Sequence, residues 1–237
     1  MINILCYDTS TDFLSVALAY DGQVLSTHKH VGQSHGLALP KAVDQLLTEA
    51  GIGINQLDAL SFGRGPGSFT GIRIATGFAH GIALATDIGL IPLSSLATLA
   101  RTAHRLTQKT HLLTAIDAKI GEVYWAEYQA SANTSIEPVT TEQLSKPEAV
   151  SAQSLTAETE TQYTAIGTGF QYQAMMERGV KNIPALKHET PQAEDMLKLA
   201  TRAYNAGKLL SPEQAMPVYL GHKMGATKLG TQTYNPL

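Results

Sequence analysis

Residues 5–20, LCYDTSTDFLSVALAY, and residues 114–129, TAIDAKIGEVYWAEYQ, carry one pattern twice. Each is an apolar strand that ends on an aspartate, Asp8 or Asp117, then a polar turn, then a second strand. A second echo lies downstream in each half. Ser61-Phe62-Gly63-Arg64-Gly65 and Ala165-Ile166-Gly167-Thr168-Gly169 both run from a strand into Gly-x-Gly and on toward a helix. The two aspartates are 109 residues apart and the two leading glycines 104 apart. A strand followed by Asp and a turn is common, so one match means little. Two matches in the same order at nearly equal offset predict an internal duplication of one βα unit.

Working outward, Phe13–Tyr20 alternates as a strand, Asp21-Gly22 is a two-residue hairpin signal, and Gln23–His30 returns. With the apolar run Ile2–Tyr7 this makes a three-strand antiparallel meander. Ser34 is placed to cap a helix whose stripe is Leu39, Val43, Leu46, Leu47 and Ala50, with Gly51 as its stop. A strand Leu57–Phe62, a helix from about Thr70 to Ala85, a strand Ile88–Ile91 and a helix Ser95–Leu106 follow. The order is β-β-β-α-β-α-β-α. The stretch Ala130–Glu160, rich in Ser, Thr, Glu and Gln, predicts a short strand, an irregular crossover and a surface helix. Thr190-Pro191 reads as the N-cap and N1 of a last helix that Gly207 stops. The expected division is 1–107, completed by the helix around 191–220, a smaller unit 108–190, and a loose tail 221–237.

Composition narrows the function classes. Of 237 residues 43% are hydrophobic, enough to bury a core without disulfides or structural metal. Charged residues make up 16%, below the ~25% of ordinary soluble domains, so parts of the surface are apolar and fit to meet a partner. A net charge of −3 gives no basic field, so any service to nucleic acid is expected to run through another protein. The single cysteine, Cys6, excludes an internal disulfide and lies in an apolar run, where a buried inert thiol is expected. The N-terminus reaches Asp8 too soon for a signal peptide, and Ile72–Ile91 is broken by Arg73, His80 and Asp87. No membrane contact and a cytoplasmic location are expected.

The Asp8-Thr9-Ser10 turn has the groups to face a phosphate and hold a magnesium water, but a hydrogen-bonded Asx turn needs the same residues. The loop Gly63–Gly71, GRGPGSFTG, lacks the Lys of a Walker loop and the spacing of a dinucleotide loop. Its four glycines and one proline still fix a special backbone path before a helix that Ser68 or Thr70 can cap. That leaves Arg64, Gly65, Pro66, Gly67, Ser68, Phe69 and Arg73 as ligand or partner contacts, against a purely structural turn. The helix that follows is rich in small residues. Gly77 and Gly81 share one face at roughly 1 kcal/mol each relative to Ala, a cost recovered where another backbone packs close. That backbone lies either within the domain or on another chain. The eight histidines show no metal-ligand spacing, so no metal site is expected.

Asp8-Thr9-Ser10, GRGPGSFTGIRIATG (63–77), AIDAKIGEVYWAEYQ (115–129), AEDML (193–197) and PVYL (217–220) resemble the TsaB (YeaZ) family, bacterial accessory proteins for threonylcarbamoyladenosine formation in tRNA. The resemblance covers most of the chain and weakens in Ala130–Glu160 and after Leu220. It implies an α/β, actin-like (ASKHA, ribonuclease-H-like) duplicated fold with two βββαβα-type subdomains. It also implies a non-catalytic scaffold and activator of the catalytic paralogue TsaD, whose metal-binding histidines are matched here by Pro92-Leu93-Ser94-Ser95-Leu96-Ala97, without histidine. A heterodimer with TsaD, the ATPase TsaE as further partner, a possible homodimer and indirect contact with tRNA follow. ATP would be used by the complex and not held stably by this chain, with Asp8, Thr9, Ser10 and Asp117 a degenerate nucleotide site. The pairing surface is expected on helices Ser34–Ala50 and Thr70–Ala85, through His35, Leu39, Val43, Leu46, Gly77, His80 and Gly81. Family members commonly carry Arg after the Tyr-Leu of the C-terminal motif, where this chain has Gly221. The rivals are an active actin-fold ATPase or sugar kinase, with Asp8 and Asp117 on magnesium, and a metallopeptidase.

Overall fold

A computed structural model describes residues 2–131, 135–156, 159–177 and 183–221. The first half begins with β1 (Ile4–Asp8), β2 (Phe13–Tyr20) and β3 (Gln23–His30). It continues through α1 (His35–Ala50), β4 (Ala59–Gly63), α2 (Phe69–Thr86), β5 (Gly89–Leu93) and α3 (Ser95–Thr107). The second half runs β6 (His111–Asp117), β7 (Val123–Ala130), β8 (Ile136–Pro138), β9 (Gln143–Ser145), β10 (Tyr163–Ile166), the short α4 (Gln173–Glu177), β11 (Ala185–Leu186) and α5 (Ala193–Asn205).

The duplication is visible in the sheets. The first has the order β3-β2-β1-β4-β5 and the second β8-β7-β6-β10-β11, with β9 added on β7. In both, the first strand lies between an antiparallel and a parallel neighbour: β1 between β2 and β4, β6 between β7 and β10. This is the duplicated mixed α/β architecture that the repeat predicts, in the actin-like form that the family resemblance implies. Among the described residues no helix is long and apolar enough to cross a membrane.

Period-two alternation sends β1 side chains to two cores. Leu5 and Tyr7 face α1 and α2, in a cluster with Leu39, Val43, Leu46 and Ala75. Ile4 and Cys6 face the other way, into a central cluster with Leu96, Leu99, Ala100, Met196, Leu199 and Ala200. That cluster belongs to α3 and α5, which lie between the sheets. Helix α3 closes the first repeat in sequence but packs on β6, β7 and β10; α5 closes the second and packs on β1 and β2. Each half is completed by the other's last helix. A third cluster, around Leu113, Trp125, Tyr163 and Phe170, covers the outer face of the second sheet.

Several local expectations are corrected. Ser34 precedes α1 but makes no side-chain cap, because its backbone is not extended and its carbonyl, not its hydroxyl, meets the first turn. Thr70 lies inside α2, and the cap is Ser68, whose Oγ accepts from Gly71 N. Helix α5 starts after Gln192, not at Thr190-Pro191. A tertiary partner replaces the local cap: Ala193 N donates to Ser15 Oγ of β2 at 2.8 Å. The surface helix expected within Ala130–Glu160 is absent among the described residues, where β8, β9 and 3-10 turns stand instead. After Gly167-Thr168-Gly169 the chain makes a 3-10 turn and then α4 of five residues, not a full helix. A Cβ at Gly167 would overlap the carbonyl of Ala115, so these glycines serve close packing on β6. Of the expected loose tail, 222–237 lies outside the described residues.

Candidate functional site

Asp8, Thr9 and Ser10 come together at the end of β1, and all three are buried. Asp8 Oδ1 accepts from Ser10 N at 2.8 Å and Ser10 Oγ at 2.6 Å, while Oδ2 accepts from Ser95 Oγ at 2.7 Å. Burial outweighs these hydrogen bonds and holds the carboxyl above its ordinary value.

The glycine loop is what seals the turn. A Cβ at Gly63 would overlap the Asp8 carboxylate, one at Gly67 the Ser10 carbonyl and one at Gly71 the Thr9 carbonyl. Three glycines four residues apart thus press the loop onto Asp8-Thr9-Ser10. Ser68 N donates to Ser10 O at 2.7 Å and Thr9 Oγ1 to Gly71 O at 2.8 Å. The polar groups that could have met a phosphate are spent within the chain. Of the two readings of this turn, the burial and mutual hydrogen bonding of its groups match the structural Asx turn.

Asp117, the counterpart in the second half, is partly exposed. It accepts from Tyr172 OH at 2.9 Å and Lys119 N at 2.8 Å, and its own N–H donates to Thr168 Oγ1 at 3.1 Å. The accepted hydrogen bond raises the Tyr172 phenol, since the neutral phenol is the better donor to a carboxylate. Lys119 Nζ reaches Asp12 at 3.5 Å and Asp117 at 3.7 Å, so one lysine links the turns of both halves. Among the described residues no three His, Cys, Asp or Glu side chains are placed to hold a metal ion.

The loop splits into an inner and an outer part. Gly65, Pro66 and Gly67 are buried, which corrects their reading as ligand or partner contacts. Gly65 O accepts from Ser95 N, and a Cβ at Gly65 would strike Ile72. Arg64 is also turned inward. Its guanidinium meets Glu142 at 3.1 and 3.4 Å, and its carbonyl accepts from Val218 N at 2.9 Å. Glu142 also accepts from Ser94 Oγ and from Tyr128 OH, and its charge adds to burial in raising Tyr128 well above the usual phenol range. Sequence reasoning missed this hub. Glu142 lies in a polar stretch without periodicity, and two of its partners, Arg64 and Ser94, come from the other half.

Ser68, Phe69 and Arg73 remain on the surface. The Arg73 guanidinium lies 3.7 Å above the centre of the Phe69 ring and 5.8 Å from that of Tyr219, and its Nε donates to Tyr219 OH at 3.3 Å. Tyr219 lies beside a groove of about 260 Å³ lined by Leu144, Leu220 and Gly221.

The pairing residues expected on the two helices divide sharply. His35, Leu39, Val43 and Leu46 are buried in the chain's own core against β2, so they are corrected as partner contacts: the apolar stripe of α1 is the stripe its own sheet needs. His80 is half-buried and meets Ala215 O at 3.0 Å. Gly77 and Gly81 are exposed, with open space where a side chain would stand. Packing among the described residues does not explain them.

Comparison with known proteins follows the same outline. The model of the family described as "TsaD: tRNA N6-adenosine threonylcarbamoyltransferase" matches residues 26–214. The chain is 39% identical to the tRNA threonylcarbamoyladenosine biosynthesis protein TsaB of Escherichia coli, across 96% of this chain and 98% of that one. It is 33% identical to the TsaB protein of Haemophilus influenzae, across 96% and 97%. The solved structure of YeaZ from Pseudomonas aeruginosa superposes with a TM-score of 0.82 at 38% identity, over 93% of this chain and all of the other.

Proposed function

The chain belongs to the TsaB (YeaZ) family, and from that premise we propose that it is the non-catalytic subunit of a tRNA threonylcarbamoyladenosine-forming complex. The chemistry, transfer of a threonylcarbamoyl group to the exocyclic amine of an adenosine beside the anticodon, is then done by a TsaD partner. This chain holds that partner competent through the exposed sides of α1 and α2. TsaE and its ATP join the pair, and tRNA is met through the complex.

One observation carries the reading. The turn where an actin-like enzyme would handle a phosphate is filled by the chain's own glycine loop, with Asp8 sealed under Gly63, Ser10 and Ser95. A nucleotide would have to displace main chain to enter. The exposed Gly77 and Gly81 on α2 support the other half of the reading, because a helix that met only water would gain from alanine there.

The test is co-expression of this chain with the TsaD of the same cell. A stable pair is expected, with threonylcarbamoyladenosine formed in a reconstituted mixture only when both are present. Gly81→Leu, which adds bulk to an open surface, should abolish pairing and leave the monomer with a cooperative melt. ATP turnover by the isolated chain that disappears in Asp8→Ala would overturn the proposal in favour of a kinase-like enzyme.

A further inference from the structure

We infer that Arg73 is the charge-reading residue of the α2 docking face, and that the partner helix seated on that face carries a carboxylate opposite it. This rests on the proposed function and specifies the chemistry of the same surface.

Helix α2 runs for 18 residues, Phe69–Thr86, and Arg73 is its one Asp, Glu, Lys or Arg. Helical spacing puts Arg73 on the same side as Gly77, Gly81 and Leu84, all exposed, with Leu84 at 72%. The face is therefore small and apolar along most of its length, with one cation a turn from Gly77. Among the described residues Arg73 has no carboxylate within ion-pair distance. Its partners are aromatic: Phe69 beneath it, and Tyr219 beside it as ring and as hydrogen-bond acceptor.

Those rings do two things. They fix the guanidinium before any partner arrives, which lowers the entropy cost of using it. They also leave its outward N–H groups unspent, because a ring face takes none of them in a hydrogen bond. Tyr219 is itself held in register by Val218 N on Arg64 O, and Arg64 by Glu142. The cation is built into the surface by a chain of contacts that reaches the second half of the molecule.

A backbone close enough to use the open space at Gly77 and Gly81 would cover Arg73 as well. Covering an unpaired guanidinium is costly, and cation–π contact offsets part of that cost. A carboxylate on the incoming helix offsets the rest through two parallel N–H···O bonds, a geometry that guanidinium satisfies and ammonium does not. An apolar or basic partner face would leave the charge stranded, so the same residue rejects wrong partners.

The experiment measures affinity for TsaD by calorimetry with the full chain. Arg73→Gln should weaken pairing about tenfold and flatten its salt dependence, Arg73→Glu should weaken it further, and Arg73→Lys should recover only part of the loss. A scan of single Glu→Lys and Asp→Lys changes on TsaD should find one position that restores Arg73→Glu. Melting curves confirm that each variant is folded. If Arg73→Glu pairs as the parent does while Gly81→Leu does not, the docking face stands and the charge assignment fails. Loss on Arg73→Glu that no partner change restores also overturns it. If Gly81→Leu pairs normally as well, the docking face itself is wrong. Restoration by a change on a second copy of this chain, and not on TsaD, would overturn the choice of partner.

Discussion

At the residue scale, Asp8 is a buried carboxyl held by two serines. Its ionised form is stabilised by Ser10 and Ser95, but burial is the larger effect and the folded carboxyl titrates above its ordinary 3.8. The sign follows from linkage. A group whose folded value is raised binds its proton more tightly in the native state, so its stabilisation is fully present below 3.8 and is lost as pH rises through the folded value. Asp8→Asn keeps an acceptor for Ser10 N and offers an N–H to Ser95 Oγ without the buried charge. Denaturant melts should therefore show Asp8→Asn less sensitive to pH than the parent between that ordinary value and neutrality, and no less stable at pH 7. A large loss of stability at pH 7 would mean that the charge itself holds the turn. Asp8-Thr9-Ser10 could be picked out in the sequence as special, but not which of its two readings applied. The deciding contacts come from Gly63, Gly67 and Gly71, more than fifty residues away.

Helix α2 poses the opposite case. A helix interior rarely keeps glycine, and the price is roughly 1 kcal/mol per site when nothing touches it. Among the described residues nothing lies within 4 Å of where a Cβ would stand at Gly77 or Gly81. Gly77→Ala should raise the melting temperature of the isolated chain by roughly 2–4 °C, measured by calorimetry. An unchanged or lower melting temperature would mean that Gly77 serves the monomer. The small-residue spacing that marks this face was legible in the sequence, and the tertiary structure was needed to place it toward solvent. For α1 the same pattern reasoning erred. Leu39, Val43 and Leu46 were easily found, but an amphipathic stripe does not say whether its own sheet or a partner covers it, and β2 covers it here.

Over the whole molecule, the two repeats are joined by the exchange of α3 and α5 and by the Arg64–Glu142 pair. Both side chains of that pair are largely buried, at 13% and 14% exposure. Removing one partner strands the other, at a cost of about 3 kcal/mol. Glu142→Ala should lower stability by that order in denaturant melts and speed hydrogen exchange at Arg64 and Val218, at the far side of the pair. Equal exchange at both positions would show that the halves are held without it. A pairing defect in Glu142→Ala would further tie this hub to the Tyr219 and Arg73 surface.

What the sequence determined by itself was the repeat and its strands, because alternation, Asp-Gly turns and Gly-x-Gly are local signals written within a few residues. The first sheet follows from that pattern and from the rule that parallel neighbours need a crossover, here the helices α1 and α2; in the second, β6 and β10 pair in parallel across a stretch whose described residues form strands and 3-10 turns. What the tertiary structure alone decided was which polar groups face each other and which apolar faces stay uncovered. Ser15 caps α5 from 178 residues away, Glu142 gathers Arg64, Ser94 and Tyr128, and the glycine loop closes over Asp8. A carboxylate, a hydroxyl or a glycine carries the same local signal whether its partner is water, a ligand or the chain itself. Only the packing of distant segments fixes that partner, and with it whether a nucleotide-like turn is an open site or a sealed one.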